Sequence, residues 1–155
     1  FHDDGVAGYV SVHNGGNVFT VRNVDGDFPK VRSLFPERAP IMYGVDADAL
    51  LAAAASVAPA CERDTPIRLR YDGAGTLTLD GGTGEDMQAS ATVPYTADRD
   101  EPFTVAYNPH YLLEGLKLFK GQQVTWGHTT APKPAVLTAD DSLRYLLMPV
   151  RLPNS

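Results

Sequence analysis

Three places in this chain hold side chains able to do chemistry. Near the start, His2, Asp3, Asp4 and His13 offer the imidazole and carboxylate groups that bind zinc. A metal site needs donors at spacings that one turn or hairpin can bring to a point, and a run of neighbours at a chain end gives none. Residues 80–86, DGGTGED, are glycine-rich like a loop that cradles phosphate. No Lys-Ser/Thr pair and no helix follow, so a hairpin loop is the expectation. Cys61 could act as a nucleophile with His110 or His128, but nothing local to any of the three activates a thiol. His110 in the first turn of a helix and His128 at a strand end read as surface residues, and Trp126 and Tyr95 as packing. No catalytic constellation, metal centre or cofactor site emerges, and the expectation is a protein that is not an enzyme.

Recognition is better represented than reaction. The stretch RYLLMPVRL, residues 144–152, places Tyr145, Leu146, Leu147, Met148, Pro149 and Val150 between two arginines. A chain end is usually polar and frayed, so such a run must be held by something. Leu143 to Val150 reads as a final strand, with Leu147 on its buried face. Proline cannot donate to a ladder, so Met148, Pro149, Val150 and Arg151 extend past the point that strand pairing requires. Apolar, adaptable side chains in that position suit capture of a short peptide.

Composition sets the frame for this. The 155 residues are 43% hydrophobic and 21% charged, enough for a packed core in one domain with a piece of another. No apolar run approaches the roughly 20 residues of a membrane span, and residues 1–8, FHDDGVAG, lack the order of a signal peptide. A lone cysteine and the absence of a glycosylation sequon fit a cytoplasmic setting without membrane attachment. The chain opens on Phe1, which suggests a longer polypeptide. The formal charge of −6 argues against holding nucleic acid by summed phosphate neutralisation; any DNA contact must be local or topological.

The elements that must position these residues are mostly strands. GYVSVH and VFTVRNV flank Asn14-Gly15-Gly16-Asn17, which supplies the left-handed positions of a hairpin turn. Residues 25–40, DGDFPKVRSLFPERAP, carry three prolines and six charges and read as an extended connector, with a boundary near Phe35. Beyond it a pattern occurs twice. PIMYGVDADALL has a helix cap at Asp46 followed by Leu50 and Leu51; EPFTVAYNPHYLL has a cap at Asn108, Pro109 at the first helical position, then Leu112 and Leu113. IRLRYD, GTLTLD and DMQASATVPY follow the first helix; QQVTWGH, PAVLT and LRYLLMPV follow the second. The expected fold is α+β, a duplicated βαβββ unit with two helices packed on antiparallel sheets, each built from both repeats.

DGDFPKVRSLFP, AYNPHYLLEGL, YLLMPVRLP and the paired strand-helix halves together resemble the bacterial sliding clamp, the β subunit of DNA polymerase III. The resemblance implies a DNA clamp fold. Residues 1–35 would be the closing strands of the clamp's middle domain and the connector, and residues 36–155 its C-terminal domain. It further implies a processivity factor, a homodimeric ring that encircles duplex DNA without sequence preference. Such a ring tethers the DNA polymerase III catalytic subunit, the clamp loader and repair polymerases through short peptide motifs. Carried over by position, Pro29 and Leu34 form one wall of the peptide pocket, and Leu146, Met148, Pro149, Val150 and Arg151 the other. Lys117, Lys120 and Arg63 would face DNA, with Gln122 and Gln123 beyond. Lys117 and Lys120, three apart, are expected on one helix face. Ala58 and Pro59 would stand at the dimer interface, where family members carry bulky aliphatic residues, with edge-strand pairing near 86–92 sharing the contact. The alternative reading is a clamp-type peptide-binding or effector domain without ring formation, within a transcriptional regulator, which the base-poor first helix and Ala58-Pro59 favour.

Overall fold

A computed structural model of the chain describes residues 8–23, 30–36, 41–62, 65–82, 87–97, 101–128 and 133–151. They divide into two compact units, Phe1–Val31 and Arg32–Ser155. The division falls a few residues ahead of the place the prolines suggest. His2, Asp3, Asp4, Pro29, Arg63 and Leu152 lie outside the described residues. In the first unit, β1 (Tyr9–Asn14) and β2 (Asn17–Arg22) form an antiparallel hairpin. Its two-residue loop, Gly15-Gly16, has φ of 55° and 89°, the left-handed geometry that lets a tight loop follow the twist of its strands.

The second unit carries β3 (Ile41–Asp46), α1 (Ala47–Val57), β4 (Ile67–Tyr71), β5 (Thr76–Gly81), β6 (Ala89–Pro94) and β7 (Thr96–Ala97). The pattern then recurs as β8 (Phe103–Tyr107), α2 (Pro109–Lys117), β9 (Gln123–His128), β10 (Ala135–Thr138) and β11 (Arg144–Leu147). Both helices begin where their caps require. Asp46 Oδ1 accepts from the Ala49 N–H at 2.8 Å, and Asn108 Oδ1 from the His110 N–H at 2.9 Å. Each cap satisfies an amide that the helix leaves without a partner. Leu50 and Leu112 are fully buried, while Leu51 and Leu113 pack at the margin of the core.

The repeats exchange strands. One sheet runs β11-β10-β9-β3-β7 and the other β6-β5-β4-β8, so the first strand of each repeat completes the sheet of the other. At Tyr95 the chain leaves β6 in one sheet and enters β7 in the other, where Thr96 and Ala97 pair with Gly44 and Tyr43. The second repeat does the same at its end: the Val150 N–H donates to the Ala106 carbonyl of β8 at 2.8 Å. Both sheets are thus closed by the tail of the opposite sheet's edge strand.

Leu143 to Val150 is therefore not one strand. Regular pairing stops at Leu147, opposite Ala135, and the chain departs before Pro149, whose nitrogen has no proton to give. The core between sheets and helices is aromatic-rich, with Tyr43, Tyr71, Tyr107, Phe119 and Trp126 almost wholly buried. His128 belongs to this core and not to the surface: it is 3% exposed, because β9 lies in the middle of its sheet. Tyr43, Tyr71, Phe103 and Trp126 surround its ring. Burial pushes its pKa down to about 3, so the imidazole is neutral at physiological pH. Tyr107 lies 3.5 Å from its Nδ1 and has its own phenol pushed up by burial.

Candidate peptide-docking site

The terminal segment carries apolar side chains that are exposed yet fixed from below. β11 is anchored residue by residue. Arg144 stacks its guanidinium over the Phe35 ring, 4.9 Å from the centroid, and donates to the Pro36 carbonyl at 3.2 Å. Tyr145 donates its hydroxyl to the Tyr111 carbonyl in the first turn of α2, at 3.0 Å. Its ring lies against Gly115, where a β-carbon would overlap it, so glycine is what allows α2 to approach the strand. Burial raises the Tyr145 phenol further, leaving it a donor. Leu147 closes the strand in the core.

Between Leu147 and the Val150–Ala106 hydrogen bond the backbone is held at both ends, yet its side chains face out. Met148 is 54% exposed and Val150 38%; Pro149 and Leu146 are half-buried, and Arg151 is exposed at the rim. Leu34, the last residue of the 3-10 turn Val31–Leu34, is 45% exposed and directly precedes the Phe35-Pro36 pair that Arg144 holds. Arg144 thus ties the residues that follow Leu34 to the start of β11, the strand whose far end leads into the terminal segment. Sequence reasoning missed Tyr111, a large exposed aromatic side chain whose backbone is bonded to β11. An aromatic residue at an outward helical position was the available signal.

The two lysines expected to face DNA lie at and just beyond the end of α2. Lys117 is the last residue of α2, but Lys120 lies past the helix, in a turn that ends at Gly121 with φ of 76°. Past Lys117 the helix gives way to i→i+3 hydrogen bonds at Leu118 and Phe119, a geometry in which residues three apart stay in line. Lys117 pairs with Glu114 at 2.6 Å and draws that carboxyl below its usual range. The Gly121 N–H donates to Asp48, and Gln123 donates to Asp46, so acidic groups lie beside this turn. Ala58 and Pro59 stand in the 3-10 turn Ala58–Ala60 that prolongs α1; Ala58 is half-buried and Pro59 exposed. One long edge of β6 is unpaired in its sheet. The Cys61 thiol is half-buried and pushed up by desolvation, the opposite of what activates a nucleophile. Among the described residues no group of three or more His, Cys, Asp or Glu could hold a metal, and no helix is long and apolar enough to cross a membrane.

Comparison with known proteins gives this geometry a context. Residues 32–151 match the family described as DNA polymerase III beta subunit, C-terminal domain. The chain is 33% identical to the beta sliding clamp of Streptomyces coelicolor over 153 residues, 94% of this chain and 40% of that protein. It is 45% identical to the beta sliding clamp of Micrococcus luteus over 92 residues, 59% of this chain and 29% of that one. A solved beta sliding clamp from Caulobacter crescentus superposes with a TM-score of 0.80 at 26% identity, covering 94% of this chain and 39% of the other. A Pseudomonas aeruginosa DNA polymerase sliding clamp does so with the same score at 23% identity, over 94% and 40%. The chain therefore spans about two-fifths of the length of the curated relative matched along nearly all of it. The expected clamp fold is the fold observed, and the chain belongs to the family of the DNA polymerase III beta subunit, C-terminal domain.

Proposed function

We propose that this chain is the peptide-docking portion of a sliding clamp that gives a DNA polymerase its processivity. It acts by tethering and not by making or breaking bonds. The observation that carries this reading is the exposed Met148–Val150 segment, held by Leu147 on one side and by the Val150–Ala106 bond on the other. An apolar platform that is already ordered spares a peptide the entropy of ordering it. Leu146, Met148, Pro149 and Val150 would receive the peptide's apolar anchors, with Arg151 meeting its polar end, and Pro29 and Leu34 would form the facing wall. Partners would be the replicative polymerase subunit, the clamp loader and repair polymerases.

Residues 1–35 would be the closing strands of a preceding domain, and residues 36–155 the C-terminal domain. The hairpin supports this: its register places Val10, Val12, Phe19 and Val21 on one face, an apolar surface suited to a larger sheet. Ring closure would use Ala58, Pro59 and the unpaired edge of β6. Lys117, Lys120 and Arg63 would graze phosphates from inside the ring, in the cytoplasm where replicating DNA lies. An acidic body with few bases suits a ring that slides, since strong phosphate contacts would make it grip.

The deciding experiment is titration of the full-length polypeptide with a fluorescent pentapeptide, Gln-Leu-Ser-Leu-Phe, alongside Met148→Ala. Saturable binding weakened at least several-fold by the substitution supports the docking site. Equal binding by both proteins places the peptide elsewhere and removes the reading.

A further inference from the structure

We propose that Arg144 is a positioning residue for the docking groove, acting as a clasp that fixes Leu34 relative to Met148. The inference rests on the groove reading above and adds a residue that touches no peptide. Arg144 is exposed at the first position of β11, where a long cationic side chain would ordinarily extend into water and keep its rotamer freedom. Instead it engages two consecutive residues of the connector by two different means. The guanidinium face lies 4.9 Å from the centre of the Phe35 ring, and one of its nitrogens donates to the Pro36 carbonyl at 3.2 Å. Only a planar, multiply donating cation can stack on a ring and bond the adjacent carbonyl together.

The residues so held are the exit of the 3-10 turn that presents Leu34. That turn is closed by the Phe35 N–H donating to the Arg32 carbonyl at 3.3 Å, and Pro36 limits the backbone just beyond. The clasp therefore ties the exit of the Leu34 turn to the same strand that leads into the Met148–Val150 platform. Without it, the turn would lose a tie to β11, and affinity would fall by the cost of re-ordering it on binding.

The test compares Arg144→Met, Arg144→Lys, Phe35→Leu and Met148→Ala in the full-length polypeptide. Its readouts are affinity for the Gln-Leu-Ser-Leu-Phe peptide, amide hydrogen exchange across residues 32–36 and the melting temperature. Arg144→Met and Phe35→Leu should each weaken binding about fivefold, the scale of one exposed cation–π contact. Both should accelerate exchange at residues 32–36 and leave the melting temperature within about 2 °C, because Arg144 is a surface residue. Arg144→Lys should fall between wild type and Arg144→Met, and Met148→Ala should weaken binding with exchange at 32–36 unchanged. If Met148→Ala weakens binding while Arg144→Met changes neither affinity nor exchange, the clasp is overturned and the groove stands. If the wild-type polypeptide binds no peptide, the groove is overturned and the role of Arg144 with it. Faster exchange in Arg144→Met would then show only that the contact is structural.

Discussion

Neighbouring residues in the terminal segment carry opposite burdens. Leu147 is 3% exposed and Met148 54%, although both are apolar and consecutive. Leu147→Ala should destabilise the protein by about 2–5 kcal/mol through the cavity it leaves. Met148→Ala should leave the urea unfolding midpoint nearly unchanged while weakening peptide binding. Equal losses of stability from both substitutions would show that Met148 is core as well. His128 gives a prediction in pH. Its folded pKa of about 3 lies below the ordinary value of 6.5, so the unfolded chain binds a proton that the folded one does not. Stability present above pH 6.5 is therefore lost as pH falls toward 3, at up to about 1.4 kcal/mol per pH unit. Asp72 and Asp140, whose carboxyls hydrogen bonds hold below their usual range, add their own loss only at the acid end. Urea unfolding at pH 7, 6 and 5 should show the decline in wild type and a flatter profile in His128→Phe; parallel profiles would assign it elsewhere.

At the scale of elements, α2 and β11 meet through a missing side chain. Gly115→Ala would ordinarily favour a helix by up to about 1 kcal/mol. Here the added carbon would enter the Tyr145 ring, so the substitution should lower the urea midpoint. Tyr145→Ala in the same chain should recover part of the loss, a coupling that a double-mutant cycle would measure. Much of this scale was legible in the sequence, because caps and hydrophobic spacing are local codes. Asp46, Asn108 and their leucine pairs announced both helices, and Gly15-Gly16 announced the hairpin. The end of β11 and the burial of His128 were not legible. Both depend on which strand becomes a neighbour: Val150 turns toward Ala106 in the other sheet, and β9 is central only because β3 crosses to join it. The exposed apolar segment after Leu147 was readable from Pro149 and its neighbours, whereas the Arg144 contact joins residues with no shared pattern to betray it.

For the whole molecule, the proposed ring turns on the end of α1 and the free edge of β6. Ala58→Arg would place a bulky charge in that contact while adding little strain to a half-buried surface position. Sedimentation of the full-length polypeptide should then shift from dimer toward monomer with an unchanged circular dichroism spectrum. A monomeric wild type would instead favour the clamp-type domain that acts without a ring.

The exchange of strands between repeats also determines what a cut between them would do. Severed between β7 and β8, the domain would not yield two small folded proteins, for each piece would hold a sheet lacking the strand that the other repeat contributes and a helix without the other helix it packs against. Neither fragment could fold alone, but mixed together they could rebuild both sheets, each lending the other the strand it lacks. Stability would then rise with fragment concentration, as for an obligate heterodimer. The covalent link between the halves thus serves as a permanently high local concentration of each for the other.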